Sequence, residues 1–226
     1  MTIHRETTAV RRHQILEAAT SLILDRGVEA LTMDALADAV HLSEGAIYRH
    51  FSGKQQILDL VVEDMERALL GVLDRAEIIG APALENLERV LDAHLNTAEE
   101  RRATSFIVIS HAMAFEGLAL GSRVSAMTTR YLDHIKRMIK QGLQEGTIRP
   151  DVDPDAAATT FFGIIQSTAT LWALNDYTQP LAEHRTQMWE IFKQGVATPP
   201  SPVPGPKQEE TGAKTPTRLD APGRSQ

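Results

Sequence analysis

From Val10 to Val196 apolar residues recur at spacings of three and four, and strand-like alternation is scarce. A 3.6-residue period sustained over that length commits the chain to stacked amphipathic helices, each burying one face against its neighbours. The pattern stops abruptly near residue 198. Seven of the eleven prolines fall in the last 29 residues (198–226), which offer little apolar surface to offset the entropy of ordering, so a disordered or extended polar tail is expected there. Punctuation divides the rest into nine helices: 8–26, 33–40, 44–50, 54–79, 83–100, 104–116, 121–145, 154–175 and 181–196. Gly27 follows the first as a residue able to take positive φ, Thr32 and Ser43 are candidate N-caps, and Pro82 suits a first helical turn. No internal repeat is visible.

At 226 residues and 42% hydrophobic content the chain can bury a substantial core. No cysteine is present, which excludes a disulfide scaffold. No apolar run approaches the roughly 18–20 residues that span a bilayer, and the N-terminus is polar, so no membrane partner and a cytoplasmic location are expected. A formal charge of −7 argues, taken alone, against nucleic acid as a partner.

The most informative stretch is Leu31–Lys54. It reads as two helices of about two turns each, joined by a short turn and packed through Leu36, Ala37, Val40, Leu42, Ile47 and Phe51. Helices that short are marginal alone and need longer flanking helices for support. A short exposed helix on a rigid scaffold is what entry into a DNA major groove requires.

Thr32, Leu36, Ala37, Val40, Leu42, Ser43, Gly45, Ile47, Tyr48, His50, Phe51, Lys54 and Leu58 stand in one register. In that register the segment resembles the helix-turn-helix DNA-binding domain of the TetR family of transcriptional regulators. The resemblance is detailed over about residues 10–60; beyond it only helix count and length agree. It implies an all-α, nine-helix fold with an N-terminal arm and DNA-binding domain (1–53, motif about 31–50), an effector-binding and dimerisation domain (54–197) and the tail (198–226).

Carried over by position, Thr32, Tyr48, His50 and Lys54 would meet phosphates, beside Ser43 at the cap of the recognition helix. Glu44, Gly45, Ala46 and Arg49 would meet base edges: Arg49 suits guanine O6 and N7, Glu44 suits cytosine N4, and the small residues suit a thymine methyl. His41 departs from the family, standing in the turn where glycine is usual. It must accept positive φ at about 1 kcal/mol, or reach a phosphate. Arg5, Arg11 and Arg12 form either a basic arm on the DNA or a solvated N-terminus.

Other chemistry finds little support. His94, His111, His134 and His184 lie on separate helices without ligand spacing, so no metal or other cofactor is expected. Nucleophile-elbow, phosphate-loop and dinucleotide motifs are absent, which speaks against an enzyme. The acidic run 63–66 and the mixed run 99–102 read as solvated faces.

Helix 154–175 is apolar on nearly every side and must bury two faces. The resemblance implies that it and 181–196 form a four-helix bundle with a second copy, with Gly163, Ser167, Thr170, Leu171 and Trp189 at the homodimer interface. Phe106, Ser110, Met113, Met127, Tyr131 and His134 on the middle helices are the candidate pocket for a small, largely apolar effector, though an ordinary core uses the same residue types. The expected function is a repressor released from a palindromic operator in double-stranded DNA by that effector. Its rivals are an effector-independent activator or organiser, and a helical adaptor or enzyme keeping the motif as scaffold. The first 60 residues carry six basic against eight acidic side chains, so a binder of this kind depends on placement and dimerisation more than on bulk charge.

Overall fold

The computed structural model describes residues 7–102, 119–178 and 180–199. Among them are eight α-helices: α1 (Thr8–Arg26), α2 (Met33–Ala39), α3 (Glu44–Tyr48), α4 (Lys54–Ala76), α5 (Ala83–Glu100), α6 (Ala119–Glu145), α7 (Pro154–Leu174) and α8 (Arg185–Val196). The expected helix 104–116, with Phe106, Ser110 and Met113, lies outside the described residues, as do the N-terminal Arg5 and residues 200–226 of the tail. No strand forms among the described residues; one antiparallel bridge, Ile148 with Ala197, ties the α6–α7 loop to the chain leaving α8.

Helix ends follow local chemistry. The Thr7 and Asp153 side chains cap α1 and α7 by accepting from Val10 and Ala156 N–H, and Gly27 closes α1 at φ 81°. Several boundaries differ from expectation: α2 and α3 end at Ala39 and Tyr48 instead of 40 and 50, α6 begins at Ala119 instead of 121, and α7 ends at Leu174 instead of 175. α4 stops at Ala76 instead of 79, because buried Asn86 brackets the next segment: it accepts from Ile78 N–H and donates to Ile78 C=O, both at 3.0 Å. The last helix is split, with a 3-10 turn over Leu181–His184 before α8.

One apolar core runs through both halves, from Ile15, Ile23, Leu36, Ile47 and Phe51 through Ile57, Met65 and Leu69 of α4 to Leu87, Tyr131, Ile135, Phe161 and Trp189. α4 is therefore the shared element, packed on α1 at one end and on α5 and α6 at the other. Gly142 on α6 gives Ile148 its room, since a Cβ there would lie 2.6 Å from Ile148 Cδ1 and would make that side chain shift.

Polar pairs set the register of α4 against α6. Arg123 contacts the Asp59 carboxylate at 3.0 Å, and one heptad on in both helices Arg130 pairs with Glu66. Half-exposed pairs of this kind contribute about 0–1 kcal/mol each, so they align the helices more than they stabilise them.

Candidate nucleic-acid interface

The motif is built on α2 and α3. The Thr32 side chain caps α2, accepting from Ala35 N–H at 3.0 Å, and Leu36, Ala37 and Ile47 are buried between the two helices and their neighbours. His41 closes α2 with φ 55°. Its N–H donates to Asp38 C=O at 3.2 Å, and Leu42 N–H donates to Ala37 C=O at 2.9 Å. These two bonds are the Schellman pattern, whose C′ position is left-handed and favours glycine. The unusual histidine is thus held in the conformation that the turn requires.

Ser43 stands at the N-cap of α3 with an extended backbone and makes no side-chain cap bond. Ser43, Glu44, Gly45, Tyr48 and Arg49 are all exposed and form one contiguous outward face. Ala46 does not join them. It is only 5% exposed and packs inward beside Ile47, so the expected base contact by Ala46 is corrected: one residue of rotation turns its methyl into the core. Thr32 is exposed at the start of α2, and Lys54 is half-buried at the start of α4. His50 is half-buried with Nδ1 enclosed and unpartnered, which leaves Nε2 as its nitrogen for a phosphate.

The turn after α3 is clamped from two sides. Arg12 of α1 donates to His50 C=O at 2.6 Å, and its guanidinium lies 4.6 Å from the centre of the Phe51 ring. Gln56 of α4 accepts from Ser52 N–H at 2.6 Å. Nothing in the local sequence signals the Arg12 contact, which spans 38 positions.

The regulatory half gathers some of its expected residues and separates others. Met127 and Tyr131 are buried; the Tyr131 ring meets His94 edge-on at 5.1 Å and Phe162 at 5.3 Å. Its hydroxyl is enclosed without a hydrogen-bond partner, and burial pushes the phenol well above the usual tyrosine range, so it stays a donor. His94 was not among the expected pocket residues, although its place between Leu91 and Leu95 on the core side of α5 was a usable signal. Burial, reinforced by the Arg75 charge, lowers its imidazole to about 3.

His134 faces elsewhere. Its Nε2 is 2.7 Å from Glu77 and its Nδ1 2.7 Å from Arg137. Arginine can only donate, so Nδ1 accepts and Nε2–H donates. The residue borders a separate, polar cavity of about 310 Å³ between α4 and α6, with Asp74, Arg130 and Asp133.

On the outer side of α7, Gly163, Ser167 and Leu171 are exposed and Thr170 is half-buried. Leu174 at the end of α7 and Ile191 on α8 are also strongly exposed. A Cβ at Gly163 would meet nothing within 4 Å. Trp189 is corrected: it is 2% exposed and packs with Phe192 inside the protomer, so it has no surface left to offer a second copy.

Comparison with known proteins agrees with this architecture. A family model described as bacterial regulatory proteins, tetR family, matches residues 15–61, and one described as YsiA-like protein, C-terminal region, matches 55–195. The nucleoid occlusion factor SlmA of Vibrio vulnificus is 26% identical over 184 residues, covering 80% of this chain and 93% of that protein. The fatty acid metabolism regulator protein of Bacillus subtilis is 24% identical over 183 residues, covering 81% and 94%. Among solved structures, AibR in complex with isovaleryl coenzyme A and operator DNA superposes with a TM-score of 0.66 at 25% identity, covering 84% of this chain and 99% of AibR. With its motif helix exposed on a supported turn and family matches running from residue 15 to 195, the chain belongs to the TetR family and is a DNA-binding transcriptional regulator.

Proposed function

We propose that this regulator is a cytoplasmic, non-enzymatic repressor that grips a palindromic operator as a homodimer and lets go when a small molecule occupies the core of residues 54–197. The observation that carries the proposal is the exposed face of α3, where Ser43, Glu44, Gly45, Tyr48 and Arg49 stand clear of the core while Ala46 and Ile47 anchor it. Residues 1–53 serve as the DNA-binding unit. Thr32, Tyr48, His50 and Lys54 position it on phosphates, and Glu44, Gly45 and Arg49 read base edges. Among the described residues no helix is long and apolar enough to cross a membrane.

Dimerisation runs through α7 and α8, where the exposed Leu171, Leu174 and Ile191 await cover and Gly163 allows close approach. The two-fold axis then presents two α3 helices to two half-sites. For the effector, the buried Tyr131 hydroxyl is an unused donor among Met127, Phe162 and the neutral His94 imidazole. It suits the carbonyl of an acyl group, and the coenzyme A thioester bound by AibR is of that class. Displacement works through α4: its pairing with α6 at Asp59 and Glu66 couples movement around Tyr131 to the helix that supports α3.

The test is duplex binding by the full chain. Tyr48→Ala combined with Lys54→Ala is expected to reduce affinity for a duplex enriched by the wild-type protein by about a hundredfold or more, taking about 1.5–3 kcal/mol for each charge-assisted contact. The double variant should keep the wild-type melting temperature. Unchanged binding leaves the motif as scaffold only. The second reading, an effector-independent organiser of DNA, draws on the similarity to SlmA. A panel of saturated acyl coenzyme A thioesters that neither raises the melting temperature nor releases DNA favours it.

A further inference from the structure

The sequence leaves Arg12 with two roles, a phosphate-binding arm or a solvated terminal residue, and the structure points to a third. Arg12 lies on α1, and its side chain reaches the turn that follows the recognition helix. α3 has only five residues, and after it the chain must turn through Arg49–Gly53 into α4. Within that turn His50 and Phe51 N–H both donate to Ile47 C=O, at 2.8 and 3.0 Å. His50 C=O is taken by the Arg12 guanidinium at 2.6 Å. The same guanidinium stacks over Phe51, a fully buried ring that is part of the motif core. Ser52 is held from the opposite side by Gln56.

We infer that Arg12 is a positioning residue for operator reading: it pins the C-terminal end of α3 and the following turn to α1, and does not bind phosphate. The argument is geometric. Tyr48, Arg49 and His50 immediately precede or form the pinned turn, and base-edge contacts require placement to within about 0.5 Å. A five-residue helix has too few internal bonds to set its own angle. Arg12 fixes it with one charge-assisted hydrogen bond and one cation–π contact, and a planar fork can satisfy both at once. A lysine ammonium carries the same charge without that shape.

The inference rests on the DNA-binding reading, and the experiment separates the two. Full-length wild-type, Arg12→Lys, Arg12→Ala and Phe51→Leu proteins are titrated with a palindromic duplex enriched by the wild type from a random-sequence pool, and with a scrambled duplex. The titrations run over a series of KCl concentrations, below each protein's melting temperature. All three variants are expected to lose about tenfold or more in affinity for the enriched duplex. Affinity for the scrambled duplex should stay within about twofold, and the dependence of log K on log salt should keep its slope. A general loss of folding would not lower the specific-to-scrambled ratio selectively. If Arg12→Ala does not fold, Arg12→Lys and Phe51→Leu carry the test. The inference is overturned if Arg12→Lys retains wild-type affinity while Arg12→Ala loses affinity for both duplexes with a slope reduced by about one, which is the signature of a phosphate contact. It is also overturned if all variants read the enriched duplex as the wild type does. A wild-type protein that enriches no duplex overturns the DNA-binding reading itself.

Discussion

Ile191→Glu tests the dimer most directly, because the side chain contributes little inside one protomer. Ile191 on α8 is 71% exposed in the single chain, and on α7 Leu171 is 58% and Leu174 74% exposed. It borders an apolar groove of about 380 Å³ shared with Ile164, Phe192 and Gly195. Fully burying an isoleucine is worth about 2 kcal/mol, so covering its exposed part gives about 1.4 kcal/mol per copy, or about 3 kcal/mol across a two-fold interface. Glutamate forfeits that and adds the desolvation of two like charges, at least about 1 kcal/mol each. The total of about 5 kcal/mol raises the dimer dissociation constant more than about a thousandfold. Sedimentation equilibrium over a micromolar concentration range should show the variant as a monomer with the wild-type melting temperature at matched low concentration. Its affinity for a palindromic duplex should collapse toward that of a single half-site, and Ile191→Ala should fall between the two. A variant that sediments as a dimer of unchanged affinity would refute the assignment of this face.

Three further predictions concern single residues. His41→Gly relieves the positive-φ penalty at the α2–α3 turn and should stabilise the protein by about 0.5–1 kcal/mol, a rise in melting temperature of about 1–4 °C by calorimetry; a lower melting temperature would mean that the imidazole makes a stabilising contact. His94 binds its proton in the folded state only near pH 3, against an ordinary value of 6.5, so the unfolded chain holds the extra proton in between. Its contribution to stability is complete above about pH 6.5 and is lost as pH falls toward 3, with a slope of up to about 1.4 kcal/mol per pH unit. Denaturant melts of His94→Gln should show a correspondingly flatter profile than wild type over pH 4–6.5. Tyr131→Phe removes an enclosed hydroxyl with no partner, so folding should be unimpaired or improved by about 1 kcal/mol, while release from DNA by an acyl thioester should need a higher concentration; a clear loss of stability would show that the hydroxyl is satisfied in solution.

The helices were largely legible because their signals are local. Apolar spacing, Thr32 as a cap, Gly27 beyond α1 and Pro82 before α5 each act within one turn, and their positions agree with the structure, whereas Ser43 stands at its N-cap without a side-chain bond and the Asp153 cap was not read from the sequence. The overrun of α4 came from a contact no local rule carries, since Asn86 on the next helix takes both backbone groups of Ile78. The site was legible by register and less so by orientation. The recognition helix was expected over 44–50 and forms over Glu44–Tyr48, but which of its residues face outward depends on what lies beneath, and Ala46 proved to be part of the packing. Likewise Tyr131 and His134, three residues apart on α6, face different neighbours, one the His94 and Phe162 rings and the other Glu77.

Taken alone, the sequence determined that the regular structure of this chain is helical, that it carries a TetR-type motif, and that its first 60 residues have no basic excess. Those properties follow from short-range periodicity and from side-chain chemistry in a fixed register. Tertiary structure decided which side chains remain accessible: that Trp189 is spent inside the protomer, that Ile191 and Leu171 are not, and that Arg12 reaches across to the end of α3. Periodicity tells which residues share a helix face. Only the packing of one helix against another, across dozens of positions in the chain, determines whether that face meets core, solvent or a partner.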